Sequence, residues 1–157
     1  MAGHSLGAAC SIMYVAKYPD KVRAIAPISC FVTGELYRQT LSQQELQDWQ
    51  AKGYMEEVSI SKPGLIKRIS WRFLEDSLSH DMRDLAPKVK CPALFVVGSE
   101  DVGTPEIHQR QLIGRMAGRT ELHVIAGMQH NPRSKEHNAE LKKILLSWIK
   151  RQINDNR

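Results

Sequence analysis

The first seven residues contain a Gly-x-Ser-x-Gly pattern, Gly3-His4-Ser5-Leu6-Gly7, which strongly constrains the local backbone. The pattern is typical of a serine on a sharp turn between a strand and a helix, where the hydroxyl projects away from the sheet. Glycines on either side of the serine let the strand and the helix approach closely. The N–H of Leu6 would face the place where negative charge develops on a substrate carbonyl. Ser5 is therefore a candidate nucleophile, and Leu6 is a candidate oxyanion-hole donor.

Beyond this motif, the sequence predicts helices and strands in alternation. Apolar residues at three- and four-residue steps predict a helix over 5–18, and Pro19 prevents its continuation. Further strands are predicted at 22–28, 93–97 and 121–125, and further helices at 106–116 and 134–153. This order is typical of the α/β class, with a parallel sheet of about three strands flanked by helices.

The segment 31–84 interrupts the alternation with polar sequence that favours helices. We predict one helix over 35–52 and a second, amphipathic helix over 65–78 that carries Trp71 and Phe73. Core character returns only at Cys91. We therefore interpret 31–84 as a helical insertion between two core strands.

Two further residues stand where a serine nucleophile needs partners. A serine requires a base, and the base requires a group that orients it. Asp101 follows the predicted strand 93–97, and His130 follows the predicted strand 121–125. The carboxyl ends of parallel strands meet at one edge of a sheet, where sites form in open α/β sheets. The order Ser5, Asp101, His130 also matches the order expected after this type of turn.

The residues alone leave several alternatives open. Glu100 could take the role of Asp101, and Ser5 could be only a helix-capping residue. We expect His4 to pack locally rather than to act as the base. The remaining histidines fall inside a predicted strand, on helices or in the insertion, at His80, His108, His123 and His137.

Composition excludes several other classes of function. The net charge is +5, but the basic residues are scattered and form no block of like charges, which argues against a nucleic-acid partner. The three cysteines lack metal-ligand spacing, and no metal or organic cofactor is implied. No signal peptide and no run of about 18 apolar residues is visible, so we expect a soluble, cytoplasmic protein without a membrane span.

Four short pieces of the chain together resemble the α/β-hydrolase superfamily, especially its esterase, lysophospholipase and serine-aminopeptidase (S33-like) branch. They are Gly3-His4-Ser5-Leu6-Gly7, Tyr18-Pro19-Asp20-Lys21-Val22, Cys91-Pro92-Ala93-Leu94 leading into Gly98-Ser99-Glu100-Asp101, and Gly127-Met128-Gln129-His130. The resemblance implies that Ser5 is the nucleophile, Asp101 the orienting acid and His130 the base. It also implies that 31–84 is the cap or lid of the family.

The resemblance has one large departure. Family members carry several strands before the serine turn, and a loop after one of them supplies a second oxyanion N–H. Here only two residues precede Gly3. We therefore expect residues 1–157 to be the C-terminal part of an α/β-hydrolase domain, with a missing N-terminal fragment as a possible partner.

The function expected from these observations is hydrolysis of a carboxylic ester through a serine acyl-enzyme. The substrate would be a small-molecule ester or amide. An aminopeptidase-like peptidase is the alternative within the enzymes. The alternative from another class is a truncated fragment that is weak or silent without its N-terminal half.

Overall fold

The computed structural model describes residues 1–59, 62 and 64–154, which form two compact units. One unit comprises Met1–Val32 together with the chain from Met82 onward, and the other is Thr33–Asp81. In chain order the elements are β1 (Ala2–His4), α1 (Leu6–Lys17), β2 (Ala26–Ile28), α2 (Gly34–Gln39), α3 (Gln43–Lys52), β3 (Tyr54–Val58), β4 (Ile66–Ser70), α4 (Trp71–Leu78), α5 (Met82–Leu85), β5 (Ala93–Gly98), α6 (Glu106–Ile113), β6 (Thr120–Ile125) and α7 (Lys135–Asn154). No helix among the described residues has the length and apolar character needed to cross a membrane.

The larger unit is built on a parallel sheet, as the sequence predicts. Among the described residues, this sheet has four strands in the order β1-β2-β5-β6. The strands lie side by side in the order in which they occur along the chain. Right-handed crossovers between them therefore place α1 and α6 on the same face of the sheet. The fold class is therefore α/β with a parallel sheet flanked by helices.

β5 lies at the centre of this sheet, and all six of its residues are buried. Such a strand reads as a continuous apolar run because neighbours cover both edges and helices cover both faces. Leu94 and Val96 point to one face, where they join a core cluster that includes Trp148 of α7. Strands at the centre of the sheet thus fix the positions of the loops that follow them.

The sheet has one strand more than the approximate count from the sequence, because β1 forms directly before Ser5. β1 is only three residues long and pairs in parallel with β2, with Gly3 opposite Pro27. β2 in turn is shorter than the predicted 22–28, and Ile25 contributes a single bridge to Ala93. The turn at Ser5 therefore has a strand on one side and a helix on the other.

The Thr33–Asp81 unit differs from the predicted pair of long helices. The stretch 35–52 is split into α2 and α3, because Ser42 starts a new helix with a reciprocal cap. The Ser42 hydroxyl accepts from the N–H of Glu45, and the Glu45 carboxylate accepts from the N–H of Ser42.

The predicted helix over 65–78 is wrong in its first half. Residues 66–70 form β4, which pairs antiparallel with β3, and α4 begins only at Trp71. Ile66 and Ile69 lie three residues apart, a spacing that imitates a helix when it continues into Phe73. In the structure Arg68 of β4 pairs with Glu56 of β3 at 2.9 Å, and Ser70 caps α4. The unit is therefore a mixed α and β unit rather than a purely helical one.

The packing predicts that the same substitution at two leucines in helices of the larger unit lowers the free energy of unfolding by very different amounts. Leu112 in α6 is fully buried, whereas Leu146 in α7 is 47% exposed. We expect Leu112→Ala to lower the free energy of unfolding by about 2–5 kcal/mol, through lost burial and the cavity left behind. Leu146→Ala, the same change in a helix, should cost less than about 1 kcal/mol. Urea unfolding of both variants measures this, and equal losses would contradict the core described above.

Candidate active site

Ser5 occupies a strained turn between β1 and α1. Its φ is 55° and its ψ is −120°, a backbone conformation that residues with a side chain rarely adopt. Both the main-chain N–H and the main-chain carbonyl of Ser5 are hydrogen-bonded. The Ser5 N–H donates to the carbonyl of Ile28 at 2.9 Å, and the Ser5 carbonyl accepts from Ala8 at 3.0 Å and from Phe31 at 3.3 Å. The loop after β2 therefore supports the geometry of Ser5.

The two glycines of the motif have different roles in this turn. A Cβ added at Gly3 would collide with the backbone of Gly7 and Ala8, so close approach of strand and helix requires glycine there. A Cβ added at Gly7 would meet no described atom within 4 Å outside its chain neighbours and the backbone of its own helix. The motif predicts that the strand and the helix can approach closely because both residues lack a Cβ. The structure shows this steric requirement at Gly3 only.

His130 lies within hydrogen-bond distance of both Ser5 and Asp101. The Oγ of Ser5 is 3.0 Å from Nε2 of His130, and Nδ1 of His130 is 3.1 Å and 3.2 Å from the two carboxylate oxygens of Asp101. A carboxylate only accepts, so Nδ1 carries the proton and Nε2 of the neutral ring is free to accept from the serine. The geometry therefore matches a nucleophile, a base and an acid that fixes the tautomer.

Asp101 is a buried carboxylate with a full set of hydrogen-bond donors. Its side chain is inaccessible to solvent, whereas that of His130 is one-third exposed. Gly103 and Thr104 donate main-chain N–H groups at 3.2 Å and 2.9 Å, and the Thr104 hydroxyl donates at 2.7 Å. Burial by itself raises the pKa of Asp101, but the hydrogen bonds from His130 and Thr104 outweigh it and hold the pKa well below its usual range. Asp101 is therefore ionised at neutral pH.

Two of the residues that support this acid were missed by the sequence analysis. The Thr104 hydroxyl also lies 3.3 Å from Nδ1 of His130. The Nε2 of Gln109, which is fully buried, donates to the carbonyls of Thr104 at 3.1 Å and Cys30 at 3.0 Å. One amide thus joins the acid loop to the loop after β2. The Asp-x-x-Thr spacing is a signal for the first contact, since Asp side chains often cap a turn of this kind.

The loop that carries His130 is set by a close approach of backbones. A Cβ added at Gly98 would collide with the carbonyl of Met128, and the Glu100 N–H donates to that same carbonyl at 3.0 Å. Gly127 adopts a left-handed conformation with φ of 69°. The alternative acid, Glu100, is exposed and holds this loop through its main chain, while the carboxylate at His130 belongs to Asp101.

Of the other histidines, His80 and His123 lie beside carboxylates other than that of Asp101, and His137 lies on α7. His123 approaches Glu121 at 4.0 Å, and His80 approaches Asp76 at 3.7 Å within its own unit. Burial lowers the pKa of His108 on α6. Nε2 of His4 lies 2.7 Å from the main-chain oxygen of His130.

The N–H of Leu6 is the candidate for stabilising an oxyanion. Leu6 is the first residue of α1, where an N–H has no acceptor within the helix. The helix also adds partial positive charge at this end. Among the described residues, no group of three or more His, Cys, Asp or Glu side chains is placed to hold a metal ion.

Comparison with sequences and with structures gives different results. No protein-family model and no curated protein sequence matches the chain. Solved structures do match along almost its full length. The alpha/beta hydrolase domain-containing protein 10 from mouse is 22% identical with a TM-score of 0.73, over 96% of this chain and 61% of its own.

Two further solved structures are similar to a comparable degree. Est1E from Butyrivibrio proteoclasticus is 20% identical with a TM-score of 0.74, over 98% of this chain and 61% of its own. The monoacylglycerol lipase of Paleococcus ferrophilus is 19% identical with a TM-score of 0.72, over 96% of this chain and 67% of its own. The chain thus spans about three-fifths to two-thirds of the length of these structures. Over that length it has the α/β-hydrolase fold.

Proposed function

We propose that this chain carries the active site of a serine hydrolase that cleaves carboxylic esters through an acyl-enzyme. The observation that carries the proposal is the hydrogen-bonded series from Ser5 Oγ through the His130 ring to Asp101. One fold can carry many functions, so these three side chains and the strained turn of Ser5, rather than the fold, point to a serine hydrolase.

In the proposed first step, Ser5 Oγ attacks the ester carbonyl carbon while Nε2 of His130 takes its proton. The carbonyl oxygen becomes an oxyanion, and the N–H of Leu6 donates to it. One such donor is worth about 100- to 1000-fold in rate in a related type of site. His130 then returns the proton to the alkoxy oxygen as the C–O bond breaks, and the alcohol leaves.

In the proposed second step, water repeats the sequence on the acyl-serine. His130 removes a proton from the water, the hydroxide adds to the acyl carbon, and Ser5 leaves with the proton returned to Oγ. Asp101 stays ionised throughout. It stabilises the imidazolium that forms twice in each cycle and keeps Nδ1 protonated.

The names of the similar structures support the choice of an ester. A monoacylglycerol is a carboxylic ester of glycerol, and the enzyme of that name has the same fold. We also propose that the Thr33–Asp81 unit is the cap of this hydrolase. The cap assignment is supported by its insertion in the sequence between Val32 and Met82 of the larger unit.

The first test of this function is the substitution Ser5→Ala. Removing Oγ removes the atom that forms the acyl-enzyme, so hydrolysis of p-nitrophenyl acetate should fall by at least about 1000-fold. A fluorophosphonate probe should label the wild-type chain at Ser5 and leave the variant unlabelled. The control is Ser147→Ala, at an exposed position of α7, which should keep the wild-type rate. Equal rates for Ser5→Ala and wild type would refute the proposal.

The second test uses the lowered pKa of Asp101. In the unfolded chain an aspartate titrates at about pH 3.9. The ionised Asp101 therefore contributes stability that is fully present above that pH and is lost as the pH falls through the lower folded-state pKa. We expect urea unfolding below about pH 4 to show a loss of stability that is smaller in Asp101→Asn.

Two comparisons complete this test. Asp20→Asn, at an exposed position, leaves Asp101 untouched and should keep the wild-type dependence on pH. At neutral pH, Asp101→Asn should also lower kcat by about 10,000-fold, because it favours the wrong tautomer of His130. An Asp101→Asn variant with the wild-type acid dependence of stability would contradict the charge assigned to this carboxylate.

A further inference from the structure

His4 makes a contact that neither the nucleophile nor the base requires for its own chemistry. Its Nε2 lies 2.7 Å from the main-chain carbonyl oxygen of His130, and the two ring centroids are 4.9 Å apart with planes tilted by 52°. A carbonyl oxygen only accepts hydrogen bonds. Nε2 of His4 therefore carries a proton and donates it.

This contact joins two segments that are 126 residues apart in sequence. His4 is the last residue of β1 and directly precedes Ser5. His130 lies in the loop between β6 and α7, where Met128 is held on one side by the N–H of Glu100 and Pro132 on the other by the Asn138 amide. The hydrogen bond from His4 to the carbonyl of His130 lies between these two hydrogen bonds along the loop.

The contact also excludes His4 as a competing base. Nε2 of His4 donates to a carbonyl oxygen, whereas the nitrogen that lies 3.0 Å from the Oγ of Ser5 is Nε2 of His130. Both neutral Nε2–H imidazole and imidazolium can make the bond to the carbonyl. A fixed donor at this place therefore suits orientation rather than proton transfer.

We propose that His4 is a positioning residue, whose Nε2–H holds the main chain of His130 so that the imidazole stays aligned with Ser5. This inference rests on the proposed hydrolase function and assigns a role to the residue before the serine in the motif. The strand that presents the nucleophile thereby also holds the loop that presents the base. Misplacement of a reacting group by about 1 Å can cost on the order of 100-fold in rate.

Two substitutions separate the hydrogen bond from the ring contact. His4→Phe keeps an aromatic ring beside His130 but removes the donor. His4→Gln replaces the ring but keeps an N–H at a similar reach. The control is His123→Phe, the same change at a partly exposed histidine of β6.

The kinetic experiment measures p-nitrophenyl acetate hydrolysis by the full chain. We expect His4→Phe to lower kcat by about 10- to 100-fold with KM changed less than about twofold, because misalignment affects the transition state more than substrate binding. The kcat of His4→Gln should stay within about threefold of the wild-type value, and the kcat of His123→Phe should equal the wild-type value. Wild-type kcat in His4→Phe, or an equal loss in His4→Gln, would overturn the hydrogen-bond role.

A second measurement is independent of activity and of the folding of any His4 variant. In the ¹⁵N-labelled wild-type chain at alkaline pH, the imidazole shifts should identify Nε2 as the protonated nitrogen of His4. The same tautomer should persist in Ser5→Ala, since the bond does not involve Ser5. An Nδ1-protonated His4 would overturn the inference. If the wild-type chain shows this tautomer of His4 but does not hydrolyse p-nitrophenyl acetate, the result would instead count against the proposed function.

Discussion

The parallel pairing of β5 with both β2 and β6 is the constraint on which the candidate site depends. Parallel strands end at the same edge of a sheet, so the loops after them must converge there. β5 is buried along its whole length, and its register with β6 covers six residue pairs from Ala93 to Gly98. Because these strands cannot slide without exposing their apolar residues, Asp101 and His130 have little freedom relative to each other.

A buried charge makes this arrangement specific as well as stable. An ionised carboxylate without partners would be costly to remove from water, yet Asp101 has no solvent-exposed side-chain area. It is satisfied by the main chain of Gly103, by Thr104 and by His130. In this conformation of the loop, all of these donors face the carboxylate. The energy of the buried charge therefore selects the same geometry that the proposed chemistry needs.

The sequence was informative where a residue type and its place in the fold are linked by a strong rule. Asp101 and His130 could be placed at one edge because each follows a predicted strand, and Ser5 because its motif is typical of a strand-to-helix turn. In the structure His130 lies within hydrogen-bond distance of both Ser5 and Asp101. β1 was not separately predicted because three residues are too few to show a period. Gln109 was not recognised because a buried glutamine in a polar helix looks like an exposed one until its partners are known.

The sequence misled most in the Thr33–Asp81 unit. Ile66 and Ile69 fit a helical period, and only their pairing with β3 reveals a strand. A strand pair is stabilised by contacts across the pair, which a linear pattern does not contain. Helix caps such as that of Ser42 are more local, and a Ser followed three residues later by Glu could have indicated the break between α2 and α3.

The distance in sequence between Ser5 and His130 has a consequence for the order of events during synthesis. These residues are 125 positions apart, so the serine emerges from the ribosome long before its partner. Contacts between residues so far apart in sequence carry a loop-closure entropy cost, and they slow folding. Without His130, Ser5 is an ordinary hydroxyl with no base to activate it. Under the proposed mechanism, a nascent or partly folded chain would therefore not be acylated at Ser5 before β6 and the loop that carries His130 are in place.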